Sequence, residues 1–92
     1  MIRLLTISLL ATLANFVSAQ VNYQQQYTNA KTLYKEGKYN LAMESFKPLV
    51  AYDKNNPFPE YASFYYAVSA YHQGYKSVAR DMFNQIRQLY PA

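Results

Sequence analysis

The chain contains no cysteine and no tryptophan, and it has only two glycines among its 92 residues. Without cysteine it can form neither a disulfide nor a cysteine-ligated zinc site, and it lacks the cysteine that anchors a bacterial lipoprotein. Two glycines are too few for a glycine-rich phosphate loop. The single histidine, His72, has no second histidine with which to share a metal. We therefore expect no catalytic, metal or cofactor site, and we do not expect an enzyme.

Charge is also sparse. Nine Lys and Arg face five Asp and Glu, which gives a formal net charge of +4. The basic residues are scattered, and they form no block of like charges. Nucleic-acid-binding chains usually concentrate their positive charge on one stretch or face. The sequence therefore predicts no nucleic-acid partner.

The amino terminus has the pattern of a secretory signal. Residues 1–3 carry one positive charge, residues 4–13 are mostly apolar, and the small residues Val17 and Ala19 come just before a possible cleavage site. A membrane anchor is the alternative, but a span needs about 20 apolar residues and this run is roughly half as long. We predict a signal peptide over residues 1–19, a mature chain without an integral membrane span, and a soluble protein exported to the periplasm or cell envelope.

A repeated pattern dominates the remaining chain. Gly-x(4)-Ala-x(3)-Phe occurs twice, with the copies 37 residues apart. The two copies are Gly37, Ala42, Phe46 and Gly74, Ala79, Phe83. A fixed period in this range is typical of stacked helical hairpins, which mostly bind other proteins.

Helical spacing of apolar residues predicts an all-α fold with four helices. The predicted helices run from Tyr27 to just before Gly37, from Tyr39 to about Asp53, from Pro59 to about Gln73, and from Lys76 to Tyr90. The Gln-rich residues 20–26 are expected to be a frayed lead-in, and Pro48 is expected to kink the second helix. The third helix is apolar nearly all round, so we expect it to be buried on more than one side.

Both copies resemble the tetratricopeptide repeat, a helix-turn-helix unit of about 34 residues. The matching residues are Ala30, Gly37, Tyr39, Ala42 and Phe46, followed by Ala67, Gly74, Ala79, Phe83 and Pro91. The copies depart from the family pattern at Lys54, where a proline is usual, and at Tyr75 and Lys76, where the aromatic comes one residue early. Irregular linkers of this kind are similar to those in exported bacterial envelope members of the family.

The resemblance implies a fold and a groove. It implies one domain over residues 20–92, in which hairpins at about 24–56 and 61–92 stack as a short right-handed solenoid. In this family the first helix of each hairpin lines a concave groove that binds a peptide or a partner helix. The groove residues it implies are Tyr27, Lys31, Tyr34, Lys35, Tyr61, Phe64, Tyr71 and His72. The competing interpretation is that these rings simply fill the core.

The resemblance favours a non-enzymatic scaffold with a protein or peptide partner, and two alternatives remain open. The chain can be the amino-terminal structural portion of a longer solenoid, or a glycan- or peptidoglycan-binding envelope module that uses its tyrosines. On the last helix, Ala79, Phe83 and Ile86 are expected to face their own hairpin. A neighbouring face is expected to be covered by more chain, by a second copy in a homo-oligomer, or by a partner. Its residues are Val78, Met82 and Leu89.

Overall fold

In the computed structural model, residues 22–91 are described, and within that range the chain forms four α-helices and no β-strand. The helices are α1 (Tyr23–Lys35), α2 (Tyr39–Val50), α3 (Pro59–His72) and α4 (Lys76–Leu89). The predicted all-α fold is confirmed for this range. The predicted signal peptide over residues 1–19 lies outside the described residues.

Tight turns around glycine join α1 to α2 and α3 to α4. Gly37 and Gly74 have φ angles of +76° and +86°, a left-handed conformation that glycine adopts without steric cost. The main-chain N–H of Gly37 donates to the carbonyl of Tyr34, and that of Lys38 donates to the carbonyl of Leu33, both at 3.0 Å. The second turn makes the corresponding two bonds at the same 3.0 Å. Because both connections are this short, each pair of helices packs as an antiparallel hairpin.

Helix α1 begins at Tyr23, so the predicted start at Tyr27 is wrong. The side-chain oxygen of Asn22 accepts a hydrogen bond from the main-chain N–H of Gln25 at 3.0 Å and caps the helix. The following glutamines are good helix formers once the first turn has been capped. The polar lead-in is therefore the first turn of the helix.

Helix α2 ends at Val50, three residues before the predicted end at Asp53. The helix continues through the exposed Pro48 and keeps Leu49 fully buried. At Ala51 the backbone turns extended, with φ −69° and ψ 143°. The chain then crosses over to α3 without further helix.

Small side chains occupy the places where helices cross. Of the alanines, Ala30, Ala42, Ala62, Ala67 and Ala70 are fully buried and Ala79 is 2% exposed. The largest fully buried side chains are Phe46 and Leu49, which belong to the same core. An alanine at a crossing lets two backbones approach closely, as the repeat pattern predicts. Each helix packs on the next in sequence, and α3 contacts all three of the others. The predicted burial of α3 on more than one side is confirmed.

The 37-residue period is also a repeat of three-dimensional structure. In the first hairpin the rings of Tyr27 and Phe46 meet edge to face, with centroids 6.1 Å apart and planes at 67°. In the second, Phe64 and Phe83 meet at 6.2 Å and 64°. These pairs occupy equivalent positions in the two copies, so the two hairpins share one internal geometry.

The first hairpin shows which side of its second helix receives the next hairpin. Leu41 and Tyr52, the counterparts of Val78 and Leu89, are 46% and 86% exposed. Helix α3 instead covers the side of α2 that carries Phe46. Val78 and Leu89 of the face predicted to receive a further hairpin thus correspond to exposed residues of α2 and not to its docking side, although the prediction itself stays untested within residues 22–91. The equivalent docking side of α4 is the one formed by Ala79, Phe83 and Ile86.

Candidate interaction surface

Five rings form one aromatic cluster between α1, α2 and α3: Tyr27, Tyr34, Phe46, Phe58 and Tyr65. Tyr27 lies parallel to Phe58, with ring centroids 4.2 Å apart and planes within 1°. Tyr65 is the common neighbour, at 6.5 Å from Tyr27, 4.9 Å from Tyr34 and 5.4 Å from Phe46. Aromatic pairs at these separations add to the stabilisation from buried area. The α1 rings of the predicted groove therefore hold the hairpins together.

The environment of the cluster changes the acidity of two phenols. Burial raises the pKa of Tyr27 above its ordinary value, and the neighbouring phenols of Tyr65 and Tyr61 raise it further. Burial likewise raises the pKa of Tyr34, with smaller contributions from Tyr39 and Tyr65. Both phenols are neutral at physiological pH, and the raised pKa extends the neutral form further into the alkaline range.

Lys31 lies over the junction between α1 and α3. Its Nζ is 5.7 Å from the ring centroid of Tyr27 and 5.6 Å from that of Tyr65, so one cation contacts two ring faces. Lys35, one helical turn further on, is exposed and lines the same shallow depression on α1 as Lys31. The structure therefore brings the two predicted lysines to one edge of the α1–α3 junction.

A row of accessible rings follows one face of α3, and we call it the α3 stripe: Tyr61, Phe64 and Tyr71. Their exposed fractions are 60%, 47% and 58%. Residues three, seven and ten apart share a face of a helix, so these rings are neighbours on the surface. His72 borders the stripe, where its ring stacks on Tyr39 with centroids 4.1 Å apart. Contiguous exposed apolar surface commonly marks an interaction site.

The predicted groove residues thus fall into two groups. Tyr27, Tyr34 and Lys31 pack in or over the aromatic cluster, whereas the α3 stripe, Lys35 and His72 are open to solvent. The predicted groove residues did not include Tyr65, although its ring contacts four of them: Tyr27, Lys31, Tyr34 and Phe64. Its counterpart in the first copy is Thr28, so the repeat gave no aromatic precedent at that position.

A second surface lies along α4 beside the end of α3, and we call it the end groove. Its floor is apolar and comprises Tyr71, Ala79, Phe83 and Ile86, and its volume is about 470 Å³. Lys76, Arg80 and Arg87 line its rim. Tyr71 belongs to both surfaces, because it is the last ring of the α3 stripe and also lines the end groove.

Over residues 22–91, no three His, Cys, Asp or Glu side chains lie close enough to hold a metal ion. In the same range no helix is both long and apolar enough to cross a lipid bilayer. Comparisons with protein-family models, with curated proteins and with solved structures find no match for this chain. Its function is therefore inferred from the chemistry of its own surfaces.

Proposed function

We propose that the chain is a non-enzymatic protein-interaction module of the tetratricopeptide type, whose two hairpins stack as a short right-handed solenoid. Its partner is an extended peptide or a helix that binds along the α3 stripe. One observation carries this proposal. Three large rings are half exposed along one face of a helix whose other faces are buried against three neighbours.

The chemistry of the stripe suits a peptide. Tyrosine offers an apolar ring and a hydroxyl that can hydrogen-bond a peptide main chain, and aromatic residues are enriched in the energetic centres of protein interfaces. The rings lose little conformational entropy on binding, because each has only two side-chain torsions to fix and the helix already holds the backbone. The exposed Lys35 on the neighbouring helix α1 favours a partner that carries acidic groups.

The same proposal assigns the module to an exported compartment. The pattern over residues 1–19 supports a signal peptide, and residues 20–92 would then form the mature domain in the periplasm or cell envelope. A cysteine-free domain of this kind owes its stability to helix packing alone, which agrees with the alanine-lined crossings described above.

A peptide selection tests the binding surface. Binders are selected from a displayed library of random peptides against the purified chain, and their affinities are measured by fluorescence anisotropy. The Tyr61→Ala variant should weaken binding by about tenfold or more, as expected for an interface hot spot. Tyr61→Phe should retain most of the affinity. The matched control is Tyr52→Ala, because Tyr52 is 86% exposed and lies in the connection between α2 and α3.

The outcomes separate the candidate functions. A melting temperature unchanged in Tyr61→Ala, together with lost peptide binding, supports the proposal. Failure to select any peptide that depends on Tyr61 refutes it. Retention of the chain on peptidoglycan or polysaccharide, abolished by the same substitution, would replace it with the glycan-binding alternative.

A further inference from the structure

The end groove is a second copy of the site that α3 occupies on α2. That inner site is formed by Ala42, Phe46 and Leu49, all 0% exposed beneath α3. Their counterparts 37 residues later are Ala79, Phe83 and Ile86, the floor of the end groove. Phe83 and Ile86 remain partly exposed, so the end groove has the shape of a helix site without a helix in it.

The occupant of the inner site shows which side chains this shape accepts. Helix α3 brings Ala62 into the core and stacks Tyr65 on Phe46 with centroids 5.4 Å apart. Tyr66 packs against the same core, and Ser69 is fully buried. The accepted pattern is therefore small, aromatic, aromatic, small at i, i+3, i+4 and i+7, which is one face of a helix.

The rims of the two sites differ in charge. Around the inner site the corresponding positions carry one charge, at Lys47, whereas around the end groove they carry three. The inner positions are Tyr39, Met43, Lys47 and Val50, and their counterparts are Lys76, Arg80, Asn84 and Arg87. Asp81 pairs with Arg80 at 3.7 Å, but both side chains are more than 70% exposed, so water weakens the pair. The side-chain oxygen of Asn84 accepts a hydrogen bond from the Arg87 guanidinium, and because this oxygen is neutral the charge of Arg87 is not balanced. The end groove therefore has an apolar floor inside a positive rim.

We propose that the end groove binds an amphipathic helix of a separate acidic protein. The helix presents the small–aromatic–aromatic–small face to the floor and carries carboxylates along its flanks toward Lys76, Arg80 and Arg87. The three hydrated cations of this rim are compatible with a groove that is open to solvent, whereas the less charged rim of the inner site suits the permanent packing of α3 on α2. Polar rims of this kind are typical of interfaces that form and dissociate.

A second copy of this chain fits the groove poorly. The positions of α1 equivalent to the docking face of α3 are polar and exposed: Gln25, Thr28, Asn29 and Thr32. The charged side chains of α1 are Lys31 and Lys35, both positive, so stacking α1 on a cationic rim would bring like charges together. Pairing two end grooves face to face would do the same. An acidic partner has the complementary charge that both arrangements lack.

Two synthetic peptides of about 16 residues, long enough to form a helix on binding, test the proposal. Both carry the apolar face of α3, and they differ only in having Glu or Lys at the flanking positions. Affinity for the purified full chain is measured by fluorescence anisotropy at low and high salt. The Glu peptide should bind at least tenfold more tightly than the Lys peptide, and added salt should reduce the difference. The double variant Arg80→Glu/Arg87→Glu should reverse the preference, and Phe83→Ala should abolish binding of both.

The matched control is Val78→Ala, because Val78 lies on the side of α4 away from the groove and should leave both affinities unchanged. Equal binding of the two peptides, or binding of neither, overturns the proposal. Sedimentation that shows a dimer dispersed by Arg80→Glu/Arg87→Glu would overturn it in favour of a second copy. These variants leave Tyr61 intact, so failure here is distinct from failure of the proposed peptide site on the α3 stripe.

Discussion

The side-chain nitrogen of Asn56 donates a hydrogen bond of 2.9 Å to the main-chain carbonyl of Leu49 in the last turn of α2. Its side-chain oxygen accepts from the main-chain N–H of Phe58 at 3.0 Å, one residue before α3 begins. Asn56 is 6% exposed, so both bonds are sheltered from water. One side chain thus connects the end of the first hairpin to the start of the second and helps to set the angle between them.

Replacing this side chain should loosen the junction. Asn56→Ala leaves a buried carbonyl and a main-chain N–H without their partner, and the free energy of unfolding should fall by about 1–3 kcal/mol. Urea denaturation followed by circular dichroism measures the change. The neighbouring Asn55→Ala, at an exposed position, should stay within about 0.5 kcal/mol of the parent. Equal losses in the two variants would show that Asn56 has no special role.

The equivalent phenylalanines of the two copies should differ in their contribution to stability. Phe46 is fully buried between α1 and α3, so Phe46→Ala should cost about 3–5 kcal/mol. Phe83 contacts α3 but is open to the end groove, so Phe83→Ala should cost at least about 1 kcal/mol less, because less apolar area is lost. The comparison is made by denaturant titration. Equal costs would mean that the end groove is already covered in solution.

The turn glycine is required for its backbone conformation and not for lack of space. A Cβ at Gly37 would meet nothing within 4 Å, yet the φ angle there is +76°. Gly37→Ala should therefore destabilise the chain by about 1–2 kcal/mol through the left-handed backbone alone. Gly37→Asn should cost less, because asparagine tolerates this conformation better. A thermal melt in which alanine and asparagine behave alike would contradict this explanation.

Stability should fall at alkaline pH. In the folded chain, burial raises the pKa of Tyr27 and of Tyr34, so folding favours the neutral phenols. Their contribution is complete below the ordinary tyrosine pKa of about 10 and is lost as pH rises through the higher folded values. Melting temperatures measured between neutral pH and pH of about 11 should show the decline. Tyr34→Phe cannot ionise there and should decline less steeply, and an identical decline would exclude Tyr34 as a cause.

Export predicts a defined amino terminus. If residues 1–19 are a signal peptide, mass spectrometry of the secreted protein should show a chain beginning at Gln20, with or without cyclisation of that glutamine. Substituting Ala19 by a bulky residue should reduce processing. An intact Met1 on the mature protein would refute the proposed signal.

The local parts of the fold were predictable from the repeated pattern. Gly37 and Gly74 indicated both turns, because few residues other than glycine adopt a left-handed backbone conformation. The buried alanines at the helix crossings were predictable because they recur at the same positions of the repeat. The start of α1 was predicted four residues too late, because the polar residues before Tyr27 were expected to fray. In the structure the Asn22 side chain caps the helix and these residues are helical.

The surfaces were predictable only in part. Phe64 and Tyr65 are adjacent in sequence, yet one reaches toward α4 and the other toward α1, a distinction that depends on where the neighbouring helices lie. Helical spacing alone places Lys76, Arg80 and Arg87 on one face of α4, but that this face borders an apolar groove depends on where α3 lies.

The order in which the helices pack has a kinetic consequence. Apart from a small contact between α1 and α3, each of the four described helices touches only its neighbours along the chain. Contacts between residues close in sequence require little loop closure, and such topologies fold within microseconds to milliseconds. Within residues 22–91, helix α4 packs on α3 alone, so we expect its amide protons to exchange with solvent faster than those of α2 and α3. We therefore expect the helix that carries the end groove to open locally more often than the two helices in the middle of the fold.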